Sequence, residues 1–271
     1  MPIFSRRNLF AAAGSICLAA GISACSGKEK QPAAGSEQTP ASGAGEGKTL
    51  TVFAAASLQK TFAEIAKQFE AETGAKVLLS TAGSTALVTQ LEGGAPADVL
   101  ATANLKTMKS ALEKGLIVGE PENFASNRLV IAVAPGNPKG VKGLADLTGA
   151  TSVVRCAPQV PCGTASDKVL ADPKITLTPV SEENSVTDVL TKVTTGQADT
   201  GLVYATDIAR ADGKAEAVQI AEAGKFLNTY PIAQVKGSAQ PELGKQFIAY
   251  VLSAKGQEVL QNAGFGAPDA K

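Results

Sequence analysis

Thr51-Val52-Phe53-Ala54-Ala55-Ala56-Ser57-Leu58 is a short apolar run that ends in three small residues and opens, at Ser57, into an amphipathic helical pattern. The run reads as a strand, and its small final residues let another group approach the backbone closely. A serine at such a junction is placed to cap the helix while first-turn N–H groups stay free for a ligand. The N-terminus of a helix favours negative charge, so the junction is a ready anion site. Several junctions of this type recur along the chain, and we expect them to converge on one oxyanion.

Around this stretch, short β-branched or apolar runs alternate with helical periodicity, the pattern of α/β units with largely parallel strands. The helix after Leu58 places Phe62, Ile65, Ala66 and Phe69 on one face and stops at Gly74. A strand at 76–80 leads to a second helix from Ser84, with Leu87, Val88 and Leu91 inward, broken by Gly93-Gly94-Ala95-Pro96. A strand at 97–101 and a helix at 105–114 follow. Residues 129–134 are continuously apolar, as in a strand buried on both faces. Beyond a short helix near Leu144, strands are expected at 151–155, 200–204, 217–220 and 230–235. Helices are expected at 164–171 and 186–193, an extended segment at 175–180, and helical segments over 241–262. No internal repeat of fixed period is present.

The chain has 271 residues, with 25 Lys plus Arg balancing 25 Asp plus Glu. No long-range field favours nucleic acid or an acidic surface, so any bound anion must be held locally. Residues 1–25 have the layout of a bacterial signal peptide: Arg6-Arg7, an apolar run from Leu9 to Ala20, and small residues after it. That run is too short for a transmembrane anchor. Ser5-Arg6-Arg7-Asn8-Leu9-Phe10 resembles a twin-arginine export signal, although a general secretory leader also begins with basic residues. Ile22-Ser23-Ala24-Cys25 resembles a lipobox, which makes Cys25 the expected lipidation site. Residues 26–48, rich in Gly, Ala, Ser, Glu and Lys, read as a flexible tether of about 25 Å reach. Cys17 belongs to the expected leader. Cys156 and Cys162 remain, and in an exported chain two thiols this close are expected to form a disulfide worth about 2 kcal/mol. The rival, a metal site, has a single Cys pair and no His to build on.

Four loop-to-helix junctions carry small residues, hydroxyls and first-turn amides: Ala56-Ser57-Leu58, Gly83-Ser84-Thr85, Pro161-Cys162-Gly163-Thr164 and Asn184-Ser185-Val186. Singly, each is an ordinary helix cap. In an open α/β sheet, however, the C-terminal ends of the strands gather along one crevice, so the junctions face one another. Tyr204 ends the strand Gly201-Leu202-Val203-Tyr204 on the same rim. A strand-end tyrosine ordinarily packs with its hydroxyl in water; here the hydroxyl is placed to donate to an oxyanion.

From Thr49 onward the chain resembles the periplasmic molybdate-binding proteins of ATP-driven (ABC) molybdate importers. The resemblance is carried by Val52-Phe53-Ala54-Ala55-Ala56-Ser57-Leu58, Gly94-Ala95-Pro96-Ala97-Asp98, Val160-Pro161-Cys162-Gly163 and Gly201-Leu202-Val203-Tyr204-Ala205-Thr206-Asp207. It implies a two-lobed α/β fold of the type II periplasmic-binding kind, each lobe a mixed, mostly parallel sheet flanked by helices. Two crossings are expected near Asn127-Arg128 and near Tyr230-Pro231. One lobe would then comprise 49–127 plus 232–271 and the other 128–231. It also implies an oxyanion held without a counter-charge by Ser57, Ser84, Cys162, Val186 and Tyr204, with Cys162 and Val186 offering backbone amides. The Cys156–Cys162 pair departs from the simplest family pattern. The implied ligand is molybdate or tungstate, with no other cofactor and no directly coordinated metal cation. The implied partners are the permease subunits of the importer and, through Cys25, the membrane. The expected state is an exported, lipid-anchored monomer.

Other readings fare worse. Ser57 at its turn lacks the flanking glycines of a nucleophile elbow, and the chain has no His to act as its base. A Ser–Lys pair with Lys60 or Lys168 is the remaining hydrolase arrangement. A ferric-ion carrier needs clustered tyrosines or carboxylates, whereas Tyr204, Tyr230 and Tyr250 are scattered in sequence. A different tetrahedral oxyanion such as sulfate would meet the same donors as molybdate.

Overall fold

The computed structural model describes residues 47–149 and 151–268. The expected signal peptide, Cys25 and the tether as far as residue 46 lie outside them.

β1 (Thr49–Ala55) runs into a 3-10 turn (Ala56–Leu58) and α1 (Gln59–Thr73), followed by β2 (Lys76–Ala82), α2 (Ser84–Glu92), β3 (Val99–Ala101), α3 (Leu105–Glu113) and β4 (Ile117–Asn127). β5 (Leu129–Val133), β6 (Val153–Cys156), α4 (Pro161–Ala171), β7 (Ser181–Glu183), α5 (Val186–Thr194), β8 (Thr200–Tyr204), α6 (Ala205–Ala209) and β9 (Glu216–Gln219) come next. The chain closes with β10 (Asn228–Val235), α7 (Pro241–Leu252) and α8 (Ala254–Asn262).

The strands form two five-stranded sheets, β2-β1-β3-β10-β4 and β7-β6-β8-β5-β9. In the first, β1 is parallel to β2 and β3 while β10 is antiparallel to β3 and β4. In the second, β6 is parallel to β7 and β8 while β5 is antiparallel to β8 and β9. Each sheet is thus mixed, with four strands in one direction and a single reversed strand next to the edge. Each reversed strand directly follows a passage of the chain between lobes. The first passage lies between Asn127 and Leu129, and the second over residues 220–227. Asn228 and Thr229, which the sequence reading assigned to the second lobe, pair with Asn127 and Ser126 in the first sheet.

Periodicity explains the layers. Phe62, Ile65 and Phe69 of α1 meet Phe247 and Val251 of α7 on one face of the first sheet. On the other face, Leu87, Val88 and Leu91 of α2 meet Met108 and Ala111 of α3. α1 ends where Gly74 adopts φ 70°, a left-handed conformation that an L side chain resists. The core of the second lobe is almost wholly aliphatic, built on the five buried residues of β5 and on Val189 and Val193 of α5. Among the described residues no helix is long and apolar enough to cross a membrane.

β4 escaped the sequence reading because Gly119 and Pro121 interrupt it. As an edge strand of its sheet it tolerates both. The extended segment expected at 175–180 is displaced to β7, since Pro179 has no N–H for a ladder.

Candidate functional site

The serines at the two first-lobe junctions are not caps. Ser57 is the middle residue of the 3-10 turn, which starts from Ala55 without a side-chain cap, and its Oγ lies 3.1 Å from the Tyr230 hydroxyl. Ser84 is the first residue of α2, after Gly83, and its Oγ accepts a hydrogen bond from the Ala103 N–H at 3.0 Å. In the second lobe α4 begins at Pro161 rather than at Thr164, with proline at the position its fixed φ and missing N–H suit best. Cys162 therefore falls in the first turn. α5 begins at Val186 and is capped by Ser185, whose Oγ accepts from the Asp188 N–H at 3.3 Å. The first-turn amides of Ser84, Cys162 and Val186 have no acceptor within their own helices.

Tyr204 ends β8, and its hydroxyl accepts a short hydrogen bond from Asn228 Nδ2, which also donates to the Ala103 carbonyl at 2.9 Å. Its ring meets that of Tyr230 edge-on, centroids 6.0 Å apart. Two tyrosines far apart in sequence are thus neighbours in space, which corrects their reading as scattered. Burial, above all, pushes both phenols well above their usual pKa, so both are neutral donors at physiological pH.

Ser57, Ser84, Cys162, Val186 and Tyr204 all line one cavity of about 20 Å³, and each is at most 4% exposed. On this measure a single water needs about 10–15 Å³, so there is room for one compact guest. None of the thirteen lining residues is charged. A charged pair stands behind the wall: buried Asp207 accepts from the Tyr204 N–H and from Arg210, which also donates to Thr187 Oγ1. A wider groove of about 430 Å³ beside β4, β10 and α7 presents Glu120 and Glu122 against one Lys245, the wrong balance for an anion.

The lobes meet closely around the cavity. A Cβ on Gly83 would lie 2.1 Å from the Asn184 carbonyl oxygen, and Thr85 Oγ1 donates to the Gln159 carbonyl at 3.2 Å. At the surface, Lys60 of α1 pairs across the lobes with Asp212 at 2.9 Å. Cys156 and Cys162 are joined in a disulfide that ties the end of β6 to the first turn of α4. Among the described residues no group of three or more His, Cys, Asp or Glu is gathered that could hold a metal ion.

The sequence profile of the bacterial extracellular solute-binding protein family matches residues 50–266. The chain belongs to this family. This solute-binding protein is 48% identical over 223 residues to the molybdate-binding protein ModA of Mycobacterium tuberculosis H37Rv, covering 82% of the chain and 85% of the relative. Its fold matches that of the periplasmic molybdate-binding protein of Azotobacter vinelandii, with TM-score 0.69 and 24% identity over 81% of this chain and all of that one. The sulfate-binding protein SubI of M. tuberculosis matches at TM-score 0.72 but 17% identity, over 82% of this chain and 88% of SubI. Fold alone therefore does not distinguish the two anions.

Neither Tyr230 nor the asparagines Asn127 and Asn228 were found by sequence reasoning. They stand behind the lining, and the sequence reading singled out Asn127 and Tyr230 only as expected crossings between lobes.

Proposed function

We propose that this solute-binding protein captures molybdate in the cavity between its lobes and delivers it to the membrane subunits of an ABC importer. The observation that carries the reading is the convergence of hydroxyls and first-turn amides from both lobes on one uncharged cavity, in a chain 48% identical to a molybdate-binding protein. A buried dianion needs many aligned donors, each charge-assisted hydrogen bond contributing roughly 1.5–3 kcal/mol. Helix N-termini add a favourable dipole. Ser57, Ser84 and Tyr204 supply hydroxyls, and Cys162 and Val186 supply amides. Tungstate, of the same shape and charge, is a second guest.

In this reading the protein binds and releases without turnover and needs no cofactor. The lobes close as a hinged pair. The chain is exported, anchored through Cys25 to the outer face of the membrane, and works as a monomer.

The test is calorimetry on protein lacking its leader, with molybdate, tungstate, sulfate and phosphate. Ser57→Ala together with Ser84→Ala should lower molybdate affinity by about two orders of magnitude or more, with the thermal midpoint of the ligand-free protein retained. Unchanged affinity rejects the site, and tight sulfate binding without molybdate binding reassigns the guest.

A further inference from the structure

The loop closed by the Cys156–Cys162 disulfide supplies Val160, Pro161 and Cys162 to the wall of the cavity, so Cys162 is both half of the bond and the bearer of a first-turn amide. The far limb of the loop is held by hydrogen bonds. The Ala157 N–H donates to the Glu183 carbonyl at 2.9 Å, and Thr164 Oγ1 donates to that of Pro158 at 3.1 Å. Arg155 spans the base of the loop, donating to the Cys156 carbonyl at 3.1 Å and reaching that of Gly163 at 3.5 Å. Pro158 and Pro161 have no N–H to add to these ties. The limb that carries the amide is joined to the end of β6 through sulfur. Where it enters α4 the fit is close: a Cβ on Gly163 would lie 1.9 Å from the Ala157 carbonyl oxygen and 2.9 Å from that of Cys156. The tip of the loop meets the other lobe, the Gln159 carbonyl accepting from Thr85 Oγ1 at 3.2 Å. One covalent tie thus governs an anion donor and a contact between lobes.

From this arrangement we propose that the disulfide makes anion capture conditional on the oxidised state of the chain. With the bond closed, the Cys162 amide stands ready in the cavity wall. With it open, the anion itself must order the loop, and the conformational freedom lost on capture weakens binding. Cys156, which does not line the cavity, is a positioning residue for that amide. Opening is a two-electron step: a dithiol gives up two electrons and two protons, the S–S bond becomes two thiols, and the dithiol closes into its own disulfide. The inference rests on the proposed capture of a tetrahedral oxyanion and adds a condition to it. A chain still reduced, before export, is a weak trap, and the oxidised exported chain is a tight one.

The experiment is calorimetry with molybdate at 25 °C on protein starting at Ser26, whose only cysteines are Cys156 and Cys162. Three forms are compared: oxidised wild type, wild type reduced with dithiothreitol and shown to have two free thiols, and the double variant Cys156→Ala with Cys162→Ala, which keeps the backbone amide. The last two should bind molybdate about tenfold more weakly than the first. Hydrogen exchange over residues 157–162 should be faster in both when ligand-free. Val133→Ala, in the core of the second lobe at the end of β5 remote from Tyr204, separates positioning from general stability. It should lower the thermal midpoint yet change the affinity less than about twofold. Affinity unaltered by loss of the bond overturns the proposal, as does an equal loss in Val133→Ala. A chain that cannot fold without the bond overturns it too, since the role is then structural. Oxidised wild type that binds no molybdate removes the underlying reading instead, before any substitution is made.

Discussion

Asp207 and Arg210 brace the uncharged cavity with a charged pair just outside it. Asp207 is fully buried, and burial raises its carboxyl pKa against the opposing pull of Arg210 and the Tyr204 N–H. Removing the guanidinium strands a buried carboxylate, so Arg210→Met should cost roughly 3–5 kcal/mol in urea denaturation at pH 7. The sign of the pH dependence follows. A carboxyl whose folded pKa lies above its unfolded value of about 4 contributes stability at low pH that is lost as pH rises through the folded pKa. Without Arg210 that pKa climbs further, and the deficit of the variant should shrink between pH 7 and pH 5. A deficit independent of pH would mean that lost packing, not the stranded charge, accounts for it. At this scale the sequence was only half legible. Strand and helix ends marked the junctions, where local pattern is informative, and the family resemblance singled out Ser57, Ser84, Cys162, Val186 and Tyr204 at them. Their partners could not: Tyr230 lies 173 residues beyond Ser57, and no local rule reaches that far.

At the scale of elements, the approach of α2 to the loop before α5 decides whether the lobes can meet. Gly83 has an ordinary φ of −57°, so alanine there is compatible with its backbone and the open lobes should fold unchanged. The added Cβ, however, would stand 2.1 Å from the Asn184 carbonyl oxygen. Gly83→Ala should reduce molybdate affinity by roughly 5- to 150-fold, given the 1–3 kcal/mol that such overpacking costs. X-ray scattering should find the ligand-saturated variant more expanded than wild type, and equal radii of gyration would show that the backbone shifts to absorb the clash. Reduction of the Cys156–Cys162 disulfide, which closes a short loop, should lower stability by about 2 kcal/mol, measured by denaturant midpoint with and without reductant. The elements themselves were legible where apolar spacing was regular, as in α1, α2 and β5. They were obscured where edge position permits irregular sequence, as in β4. The start of α4 was readable after all: Pro161 marks the first helical position, three residues before the one chosen.

For the whole molecule, the two sheets share one plan: three parallel strands, then a reversed strand, then an edge strand. No sequence repeat betrays it, because the shared feature is strand order rather than side-chain identity. The reversed strands β5 and β10 belong to opposite lobes and border the two passages; the second, over residues 220–227 with the short 3-10 helix Ala221–Lys225, was placed a few residues late. Guest binding that spans both lobes stabilises the whole described fold. Molybdate at about a thousand times its dissociation constant should add roughly 4 kcal/mol to the unfolding free energy, seen as a raised calorimetric midpoint. A midpoint unmoved by saturating molybdate would mean that the guest does not bind the native state.

The closeness of Gly83 to Asn184 has a kinetic corollary. Half of the wall around a captured anion belongs to each lobe, so the only way out is for the halves to part. Residence time is then the lifetime of the shut clamshell, and a membrane partner that wedges the halves apart hastens escape without touching the anion itself.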